Sequence, residues 1–595
     1  MRNPDNRFAG YLACAALAVS SQPGFATGSE QLQLVAMEEI QVWGSEQAKE
    51  HATGPTSLLT PADMVSINIA TTEDVVKYEP SLVIRRRFIG DANGTLGMRG
   101  SNMFQTSRSM VFADGVPLHY LLQSRWNGAP RWTLVSASEI AQVEVLYGPF
   151  SAEYSGNAMG GVVLIETAIP QERQFHFDGS FFSQSFDDYG FDDTVSGYKT
   201  FASYGDRIGD FSLYLSYNHL ENESQPQTFY YGSGSSNATP EPVSGAIPGN
   251  DETGNAQLFF GDTGMVDTTT DNLKFKAGYE FDQWFALLNI AYENRHSASN
   301  APNSYVHDAQ GNFVWSGHVI QDGQAFFIPA SCLNVSEMDR QSLSTGLRLR
   351  GGLTDRISLE GNVNRFNILE DETRSSAANP GDPAYTPAGE VVDFGNSGWQ
   401  TAEVKLLLSD AGVDGLDLVA GVRHESYELN LDVYSSDDYA AGSKDAFSSR
   451  SGGETGISAV FTQLNWGIND RWDISLGGRY ESWESRNGYF SNDDPATAAF
   501  ELESVPGRSN DKFSPKFSLG YHPSGLWVFR YSLAKAYRFP IVEELFSQYQ
   551  AFNAISEANP ELKPEDGLHH NLMAERALDQ GYVRINLFQE TIEDV

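Results

Sequence analysis

Apolar and polar residues alternate along most of the chain from about residue 174 onward. The stretch 211–218 reads FSLYLSYN, with an apolar or aromatic side chain at every second position. A period of two is typical of a β-strand that presents one apolar and one polar face. The same alternation occurs at 272–279, 357–364, 402–408, 416–423 and 472–481. This part of the chain is therefore predicted to consist of β-strands.

The connections between these segments alternate in length. Short turns occur at 205–209, 353–356 and 469–471, whereas long stretches rich in Gly, Ser, Asn and Asp occupy 221–270, 296–340, 370–398, 430–455 and 484–510. A transmembrane β-barrel has short turns on one side and long loops on the other. A β-solenoid would instead show a fixed repeat, and the sequence has none. The pattern therefore predicts an antiparallel transmembrane barrel.

A different pattern precedes the barrel, at Ser138–Thr167. Val143–Tyr147 alternates like a strand, and Gly148-Pro149 ends it. Three glycines between residues 156 and 161 allow close approach of the backbone. Val162–Thr167 then reads as a second, buried strand. The segment is predicted to form a compact strand–turn–strand unit.

This unit strongly resembles the plug signature of the TonB-dependent outer-membrane receptors. The matching residues are Ile140, Val143-Glu144-Val145-Leu146, Gly148-Pro149, Gly156, Ala158 and Gly160-Gly161-Val162. The resemblance implies a mainly β protein, namely a transmembrane antiparallel barrel of the 22-stranded type filled by an N-terminal α/β plug domain. In one departure Tyr147 stands where the family usually has an arginine that helps to lock the plug to barrel carboxylates.

Further motifs of the family follow in the same order along the chain. In the plug they are 71–86, Gly97–Gly100 and Met110–Pro117, and in the barrel 477–481, 513–516, 537–546 and 559–565. Arg99 lies in the family's Arg-Gly element and becomes the candidate for the plug–barrel lock. Glu425 and Glu481, on the predicted lumen face, are its candidate partners, because a buried charge needs one.

Five residues with aromatic or basic side chains follow the plug segment 110–117. They are His119, Tyr120, Arg125, Trp126 and Trp132. In the resemblance they fall in plug loops, where two roles are open: contact with a ligand that arrives from outside the cell, or packing against the barrel wall.

The N-terminal residues read as a secretory signal peptide at 1–26. Arg2 and Arg7 give a basic start, Phe8–Val19 is a short apolar run, and Gly24-Phe25-Ala26 offers a cleavage site with small residues.

Glu39, Ile40, Gln41, Val42 and Trp43 form a short extended segment in a polar surrounding. The segment resembles a TonB box, which pairs as an added strand with the periplasmic protein TonB through main-chain hydrogen bonds. The predicted domains are therefore the signal peptide at 1–26, the TonB box and linker at 27–50, the plug at 51–172 and the barrel at 173–595.

Composition narrows the class of protein. The formal charge of −39 argues against nucleic-acid binding, which needs a basic surface. Of the two cysteines, Cys14 lies in the predicted signal peptide, so Cys332 alone gives no disulfide framework or thiolate metal cluster. No apolar run reaches the length of about 18 residues that a transmembrane helix needs.

No motif for catalysis or cofactor binding is recognisable. The chain lacks a zinc-protease, nucleophile-elbow, phosphate-loop or dinucleotide signature, so no enzyme activity, cofactor or metal is predicted. His569 and His570 are adjacent, and neighbours on a strand point to opposite faces. The acidic stretch 251–271 reads as a solvated loop rather than a cation site.

The last predicted strand is 581–588, and the chain ends at Val595. Members of the family continue with further strands at this point. A gap in a barrel leaves backbone groups unpaired in lipid. The resemblance therefore implies that C-terminal strands are missing from this sequence.

The resemblance implies active import of a scarce nutrient across the outer membrane of a Gram-negative bacterium, with TonB, the ligand and outer-membrane lipid as partners. A ferric siderophore is the family's commonest cargo. Haem, cobalamin, another metal chelate or an oligosaccharide remain alternatives, although 541–558 lacks the histidine that haem receptors carry there. A passive porin, an outer-membrane enzyme and an adhesin are the alternatives from other classes.

Overall fold

The computed structural model describes residues 53–101, 108–235, 237, 239–492, 501–547, 549–551, 554–556, 558–579 and 581–595. All of these residues belong to one compact unit. The predicted signal peptide and the predicted TonB box at 39–43 lie outside the described residues.

The N-terminal part of the described chain is a small mixed sheet with short helices. Its strands are β1 Thr56–Leu59, β2 Leu82–Arg85, β3 Thr95–Met98, β4 Ser109–Ala113, β5 Val116–Pro117, β6 Ile140–Tyr147 and β7 Gly161–Thr167. Its helices are α1 Pro61–Met64 and the 3-10 turns Thr72–Val76, Arg125–Gly128, Trp132–Leu134, Ala137–Glu139 and Gly156–Ala158.

Five strands of this part pair in the order β1-β6-β7-β4-β5, and β2 and β3 form a separate hairpin. Strand β7 runs antiparallel to β6 and parallel to β4. The two strands predicted at 143–147 and 162–167 correspond to β6 and β7. This sheet is the plug domain, and β5, which has only two residues, is one of its edges.

The remaining described strands run to residue 593. They are β8 Gln174–Asp188, β9 Phe191–Ile208, β10 Phe211–Ser224, β11 Phe229–Tyr231, β12 Ser233–Gly234, β13 Glu241–Pro242, β14 Ile247–Asn250, β15 Ala256–Asp262, β16 Val266–Phe281, β17 Trp284–Ser299, β18 Asn303–Ser304, β19 Gly317–Gln321, β20 Gln324–Ile328, β21 Ser336–Thr354, β22 Ile357–Ser376, β23 Gly389–Asp393, β24 Gly398–Leu408, β25 Leu416–Ser436, β26 Ala446–Asn469, β27 Trp472–Asn492, β28 Glu501–Val505, β29 Arg508–Ser524, β30 Trp527–Arg538, β31 Tyr549–Ala551, β32 Ala554–Ser556, β33 Glu565–Ala577 and β34 Tyr582–Glu593, with helix α2 Val542–Phe546.

Long strands form the barrel around the plug. Its order is β8, β9, β10, β16, β17, β21 to β30, β33 and β34, with β34 next to β8. Strands β23 and β24 both pair with β22 and β25, and β28 and β29 both pair with β27. Most side chains of β8 and β34 are exposed on both faces. The predicted fold class, a barrel with an N-terminal plug, is confirmed, and the count of 22 strands stays a prediction.

The barrel has an apolar outer face and a polar lumen. On β10, Leu215 and Tyr217 are exposed, whereas Ser212 and Ser216 are buried against the plug side. This inside-out alternation is typical of strands that meet lipid on one face. Among the described residues, none of the helices is both long and apolar enough to cross a membrane.

Two of the predicted loops contain a folded lobe. Strands β11 to β15 and β18 to β20 form two small sheets within the connections β10–β16 and β17–β21. Phe260, Phe326 and Leu333 are fully buried in their common apolar cluster, next to Cys332. The composition of these stretches predicted solvated loops, and the aromatic residues scattered among the Gly and Ser residues supply the core instead.

Candidate ligand cavity and plug–barrel contacts

A cavity of about 490 Å³ lies between the plug and the barrel wall. Its plug side consists of residues from 87–93 and 123–131, and its barrel side includes Val266, Ser299 and Ser336. These three residues begin or end β16, β17 and β21 at the ends that adjoin the long connections. The cavity therefore lies on the side of the long connections, which is the outer side of a receptor of this architecture.

Arginines dominate the charged lining of this cavity. Arg87 forms two hydrogen bonds of 2.9 Å with the carboxylate of Asp91, which neutralises it. Arg131, Arg295 and Arg340 also line the cavity, together with Asp371 as a further carboxylate. The arginines outnumber the two lining carboxylates, so the pocket has excess positive charge although the net charge of the chain is −39.

Three of these guanidinium groups keep unused donors. Arg131 Nε, Arg295 Nε and Arg340 Nη2 lack a hydrogen-bond partner among the described residues, whereas Arg340 Nε lies 3.4 Å from Glu293. All three arginines are buried, with 5% or less of each residue exposed. A buried donor without a partner costs about 1–3 kcal/mol, and more when it is charged.

Neighbouring groups hold the three guanidinium groups in place. The Arg131 guanidinium stacks 3.7 Å from the centre of the Tyr120 ring. Arg295 Nη1 donates to Thr270 Oγ1 at 3.0 Å, and Arg340 Nε lies 3.4 Å from a carboxylate oxygen of Glu293. Burial, reinforced by the charge of Arg340, lowers the pKa of Arg131. An anion in the cavity would offset both effects.

His119, Tyr120 and Trp132 are buried in the plug, with 0%, 0% and 3% of their surface exposed. Trp132 Nε1 donates to the Gly94 carbonyl at 2.9 Å, and the Tyr120 hydroxyl donates to Gln123 at 3.2 Å. All three side chains therefore pack inside the protein in this structure, and their contact with an outside ligand stays a prediction.

Arg125 and Trp126 lie in the 3-10 turn Arg125–Gly128, near the cavity residues Gln123 and Asn127. Their side chains lie outside what the structure describes, so their predicted ligand contact stays a prediction.

His119 is expected to make the plug sensitive to acid. Its Nδ1 lies 3.1 Å from the Val111 carbonyl oxygen, and burial lowers its pKa from 6.5 to about 4 despite the nearby Glu425 carboxylate. As the pH falls from about 6.5 to about 4, the unfolded chain binds a proton that the folded plug does not bind. Folding therefore loses stability over that range, by at most about 3 kcal/mol.

His119→Gln should remove this part of the acid sensitivity. The measurement is the urea midpoint for plug unfolding at pH 7 and pH 4.5, with His176→Gln at an exposed position as the matched control. An equal loss of midpoint in the parent and in His119→Gln would exclude the role of His119.

Arg99 contacts the barrel, but with partners other than the predicted ones. Its Nη2 donates to Asn571 at 2.9 Å, Nη1 lies 4.0 Å from Glu590, and the guanidinium stacks 4.9 Å from the centre of the Phe588 ring. Tyr147, which stands at the family's arginine position, donates within the plug, to Glu79 at 3.1 Å.

The predicted pairing of Arg99 with Glu425 or Glu481 is wrong. Glu425 is paired with Arg423, and Glu481 accepts from Arg479 Nε at 2.8 Å. In each case the arginine stands two residues earlier on the same strand, so it shares the lumen face with the carboxylate. Each glutamate is therefore neutralised by an arginine of its own strand and not by Arg99 of the plug.

A buried ion-pair network joins the plug to the barrel elsewhere. Arg108 of the plug forms two hydrogen bonds, of 2.9 and 3.0 Å, with the Glu565 carboxylate of β33. Glu565 also accepts from Arg538 at 2.8 Å, and Arg538 donates to both oxygens of Glu544 at 2.6 and 2.7 Å. The late motifs 537–546 and 559–565 contain these residues, but sequence spacing gave no sign that they meet Arg108.

One group among the described residues has the geometry of a metal site: His296, Glu337 and Asp339. Arg374 forms an ion pair with Asp339 there, so an arginine of the protein itself neutralises that carboxylate. His569 is buried, whereas His570 contacts the Tyr531 hydroxyl at 2.9 Å. The two histidines lie on opposite faces of β33, as predicted.

Two family models match this chain. Residues 48–162 match the TonB-dependent Receptor Plug Domain, and residues 431–595 match the TonB dependent receptor-like, beta-barrel model. The chain thus matches the models of both the plug and the β-barrel of the TonB-dependent receptors, as the sequence motifs predicted. Receptors of this family are outer-membrane β-barrels that act in transport and are not enzymes.

A curated relative is the Vitamin B12 transporter BtuB of Vibrio vulnificus (strain YJ016). It is 29% identical over 135 residues, which are 23% of this chain and 21% of that protein. The match therefore spans about a fifth of the relative's length.

Solved structures share the fold at low identity. The ferric yersiniabactin uptake receptor FyuA from Yersinia pestis is 16% identical with a TM-score of 0.59, covering 91% of this chain and 73% of that one. The unliganded ferric citrate transporter FecA is also 16% identical, with a TM-score of 0.60 and coverage of 91% and 70%. These likenesses concern the fold alone.

Proposed function

We propose that this chain imports a negatively charged metal chelate, foremost a ferric siderophore, across the outer membrane of a Gram-negative bacterium. The observation that carries the proposal is the cavity lined by four arginines, three of them buried, and by two carboxylates, Asp91 and Asp371. Guanidinium groups match the planar geometry of carboxylates and similar anions through paired hydrogen bonds. A ferric siderophore with free carboxylate or phenolate oxygens offers such acceptors.

TonB is the proposed source of energy. The segment Glu39–Trp43 would add a strand to TonB in the periplasm, and the inner-membrane energising complex would pull on it. The plug would then rearrange and release the ligand inward. The apolar outer face, with residues such as Leu215, would meet outer-membrane lipid.

Cobalamin is the second candidate, because the curated relative carries the name of a vitamin B12 transporter. An oligosaccharide or haem has less support. Neutral sugars carry no charged group and cobalamin carries a single phosphodiester, so the positive charge of Arg131, Arg295 and Arg340 favours a more strongly anionic chelate over them. A passive porin would not need a plug with a buried ion-pair network to the wall.

Arg295→Gln should weaken the binding of an anionic ferric chelate by about 10-fold to 100-fold, since a hydrogen bond to a charged group contributes about 1.5–3 kcal/mol. Arg295 suits the test because its hydrogen bond within the protein goes to the neutral Thr270. Titration of the purified receptor with an anionic ferric carboxylate chelate, an uncharged ferric chelate and cobalamin gives the affinities. Arg365→Gln, at an exposed position of β22, is the matched control.

The proposal predicts tight binding of the anionic chelate and a loss in Arg295→Gln alone. Tight binding of cobalamin with no response to Arg295→Gln would replace the proposed cargo with the second candidate.

A further inference from the structure

The plug is held tightly on two flanks of the barrel. On β16, Lys274 Nζ lies 2.6 Å from Glu139, and at most 5% of either side chain is exposed. Further round the ring, Arg479 of β27 donates to the carbonyl oxygens of Ala152 and Glu153 at 3.4 and 3.2 Å. Dry contacts of this kind are costly to break, because each leaves a buried charge or donor without a partner.

In the sector between these flanks, at β21 to β24, the buried rings of Tyr120 and Trp399 pack with centres 5.7 Å apart, but the ion pairs between plug and wall are wetter. Arg348 lies 3.5 Å from Glu166, and both side chains are 17% exposed. Lys405 lies 3.1 Å from Glu153, and their side chains are 20% and 21% exposed. Water screens such ion pairs, so they contribute less to docking than the buried ones.

A second cavity, of about 100 Å³, occupies this sector. It lies between the plug residues Gly115 and Glu166 and the barrel residues Arg348, Asn362 and Lys405. A polar space of this size has room for several water molecules. Because Arg348 and Asn362 lie toward the short turn 355–356 between β21 and β22, this inner cavity is on the side of the short turns.

Strands β21 and β22 line both the outer arginine cavity and this inner cavity. Arg340 and Arg348 of β21 line the outer and the inner cavity respectively. Between them, the lumen-facing positions of β21 carry only small residues: Ser342, Ser344 and Gly346. A column of small polar residues thus connects the two cavities along the wall.

The plug presents its weakest edge to this column. The edge strand β5 pairs with β4 through two residues. The Gly115 carbonyl before it accepts hydrogen bonds from Asn362 at 2.7 Å and from Asn364 at 3.3 Å. A methyl group built on Gly346 would lie 2.6 Å from Val116 of β5. The contacts of Gly115 and Val116 with β21 and β22 include no ion pair among the described residues, whereas the preceding Asp114 pairs with Lys276 of the docked β16 flank at 3.8 Å.

We propose that the ligand passes inward along β21 and β22, and that β5 with its Gly115 turn is the part of the plug that leaves the wall. The flanks at β16 and at β26 to β33 stay docked during passage. This inference rests on the proposed import function and adds the route that the cargo takes.

A disulfide between Val116→Cys and Gly346→Cys tests the route. The close approach of these two positions suits a disulfide, whose Cβ and Sγ atoms must lie close together. The matched control is Ala152→Cys with Gly477→Cys, whose Cβ positions lie 3.0 Å apart on the docked β27 side. Uptake of an anionic ferric chelate is measured in whole cells before and after reduction.

The proposal expects the 116–346 disulfide to reduce uptake to the background of cells without the receptor, and reduction to restore it. The 152–477 disulfide should leave uptake at the parental rate. Loss with both disulfides would mean that the whole plug moves, and loss with neither or with the control alone would also overturn the route. Absence of uptake in the parent would count against the proposed function instead.

A second measurement does not depend on the cargo. In the purified receptor, a thiol introduced by Val116→Cys should react with a maleimide about tenfold faster than one introduced by Ala152→Cys, the ratio that a difference of about 1.4 kcal/mol in opening free energy gives. Both positions are buried in the resting protein, with 7% and 0% exposed. Equal rates, or a faster reaction at position 152, would overturn the proposal even if no cargo were known.

Discussion

Replacement of Val42 by proline is expected to abolish uptake of the labelled chelate while binding at the cell surface continues. Proline lacks the N–H group and fixes φ, so it cannot form a regular added strand. The segment Glu39–Trp43 is proposed to pair with TonB through main-chain hydrogen bonds, which this change removes. The candidate ligand cavity is lined by residues from Arg87 onward, so the change leaves its lining intact.

The matched control is Gln33→Pro, which places the same residue in the linker outside the box. It should leave both uptake and binding at the parental level. Equal uptake in the parent and in Val42→Pro would contradict energised import and favour passive entry. If no iron complex is taken up by the parent, the transporter class remains while iron ceases to be the leading cargo.

Glu565→Gln is expected to weaken docking of the plug by about 3–5 kcal/mol, since removal of one charge from a buried pair leaves its partners uncompensated. Glu565 accepts from Arg108 of the plug and from Arg538 of the barrel, and all three are nearly fully buried. Glutamine keeps the size but leaves two buried guanidinium groups with one carboxylate, Glu544, between them.

The measurement is the urea midpoint of plug unfolding, followed while the barrel stays folded. Glu575→Gln is the control, because Glu575 is on the same strand but pairs with Arg584 where water reaches both side chains. That change should cost less than about 1 kcal/mol. Equal shifts in the two variants would show that Glu565 is not the main contact between plug and barrel.

The architecture could be predicted from the sequence because it depends on local patterns. Alternation with a period of two marks each barrel strand wherever lipid lies on one side and water or the plug on the other. The glycines near residue 160 and the Gly148-Pro149 pair that ends β6 likewise predict the plug from residues that are close in sequence. Neither inference needs knowledge of which distant residues meet.

The partners of charged residues could not be predicted in this way. Arg108 and Glu565 are 457 positions apart in the sequence. Several other carboxylates face the lumen, and the sequence does not distinguish them from Glu565 as partners of Arg108. Glu425 and Glu481 were chosen for their face of the strand, but Arg423 and Arg479 share that face and are nearer. The face of the strand on which a residue lies limits its possible partners, but it does not determine which of them it contacts.

The arginine cavity was missed for a related reason. Arg131 belongs to the plug, Arg295 to β17 and Arg340 to β21, so the cluster exists only in the folded chain. Aromatic and basic residues of one plug segment were predicted instead. Of the residues predicted to bind ligand, Tyr120 contacts the cavity lining, because its buried ring stacks on Arg131.

The outer lobe has a consequence for engineering receptors of this kind. Strands β12 and β13 come from one long connection and pair with β20 and β19 from the next one. Phe260 and Phe326, one from each connection, share the same buried cluster. A chimaera that exchanges a single connection would remove the residues that this connection contributes to the buried cluster. The apolar residues of the other connection would then face water. Grafts between receptors should therefore transfer both connections as one cassette.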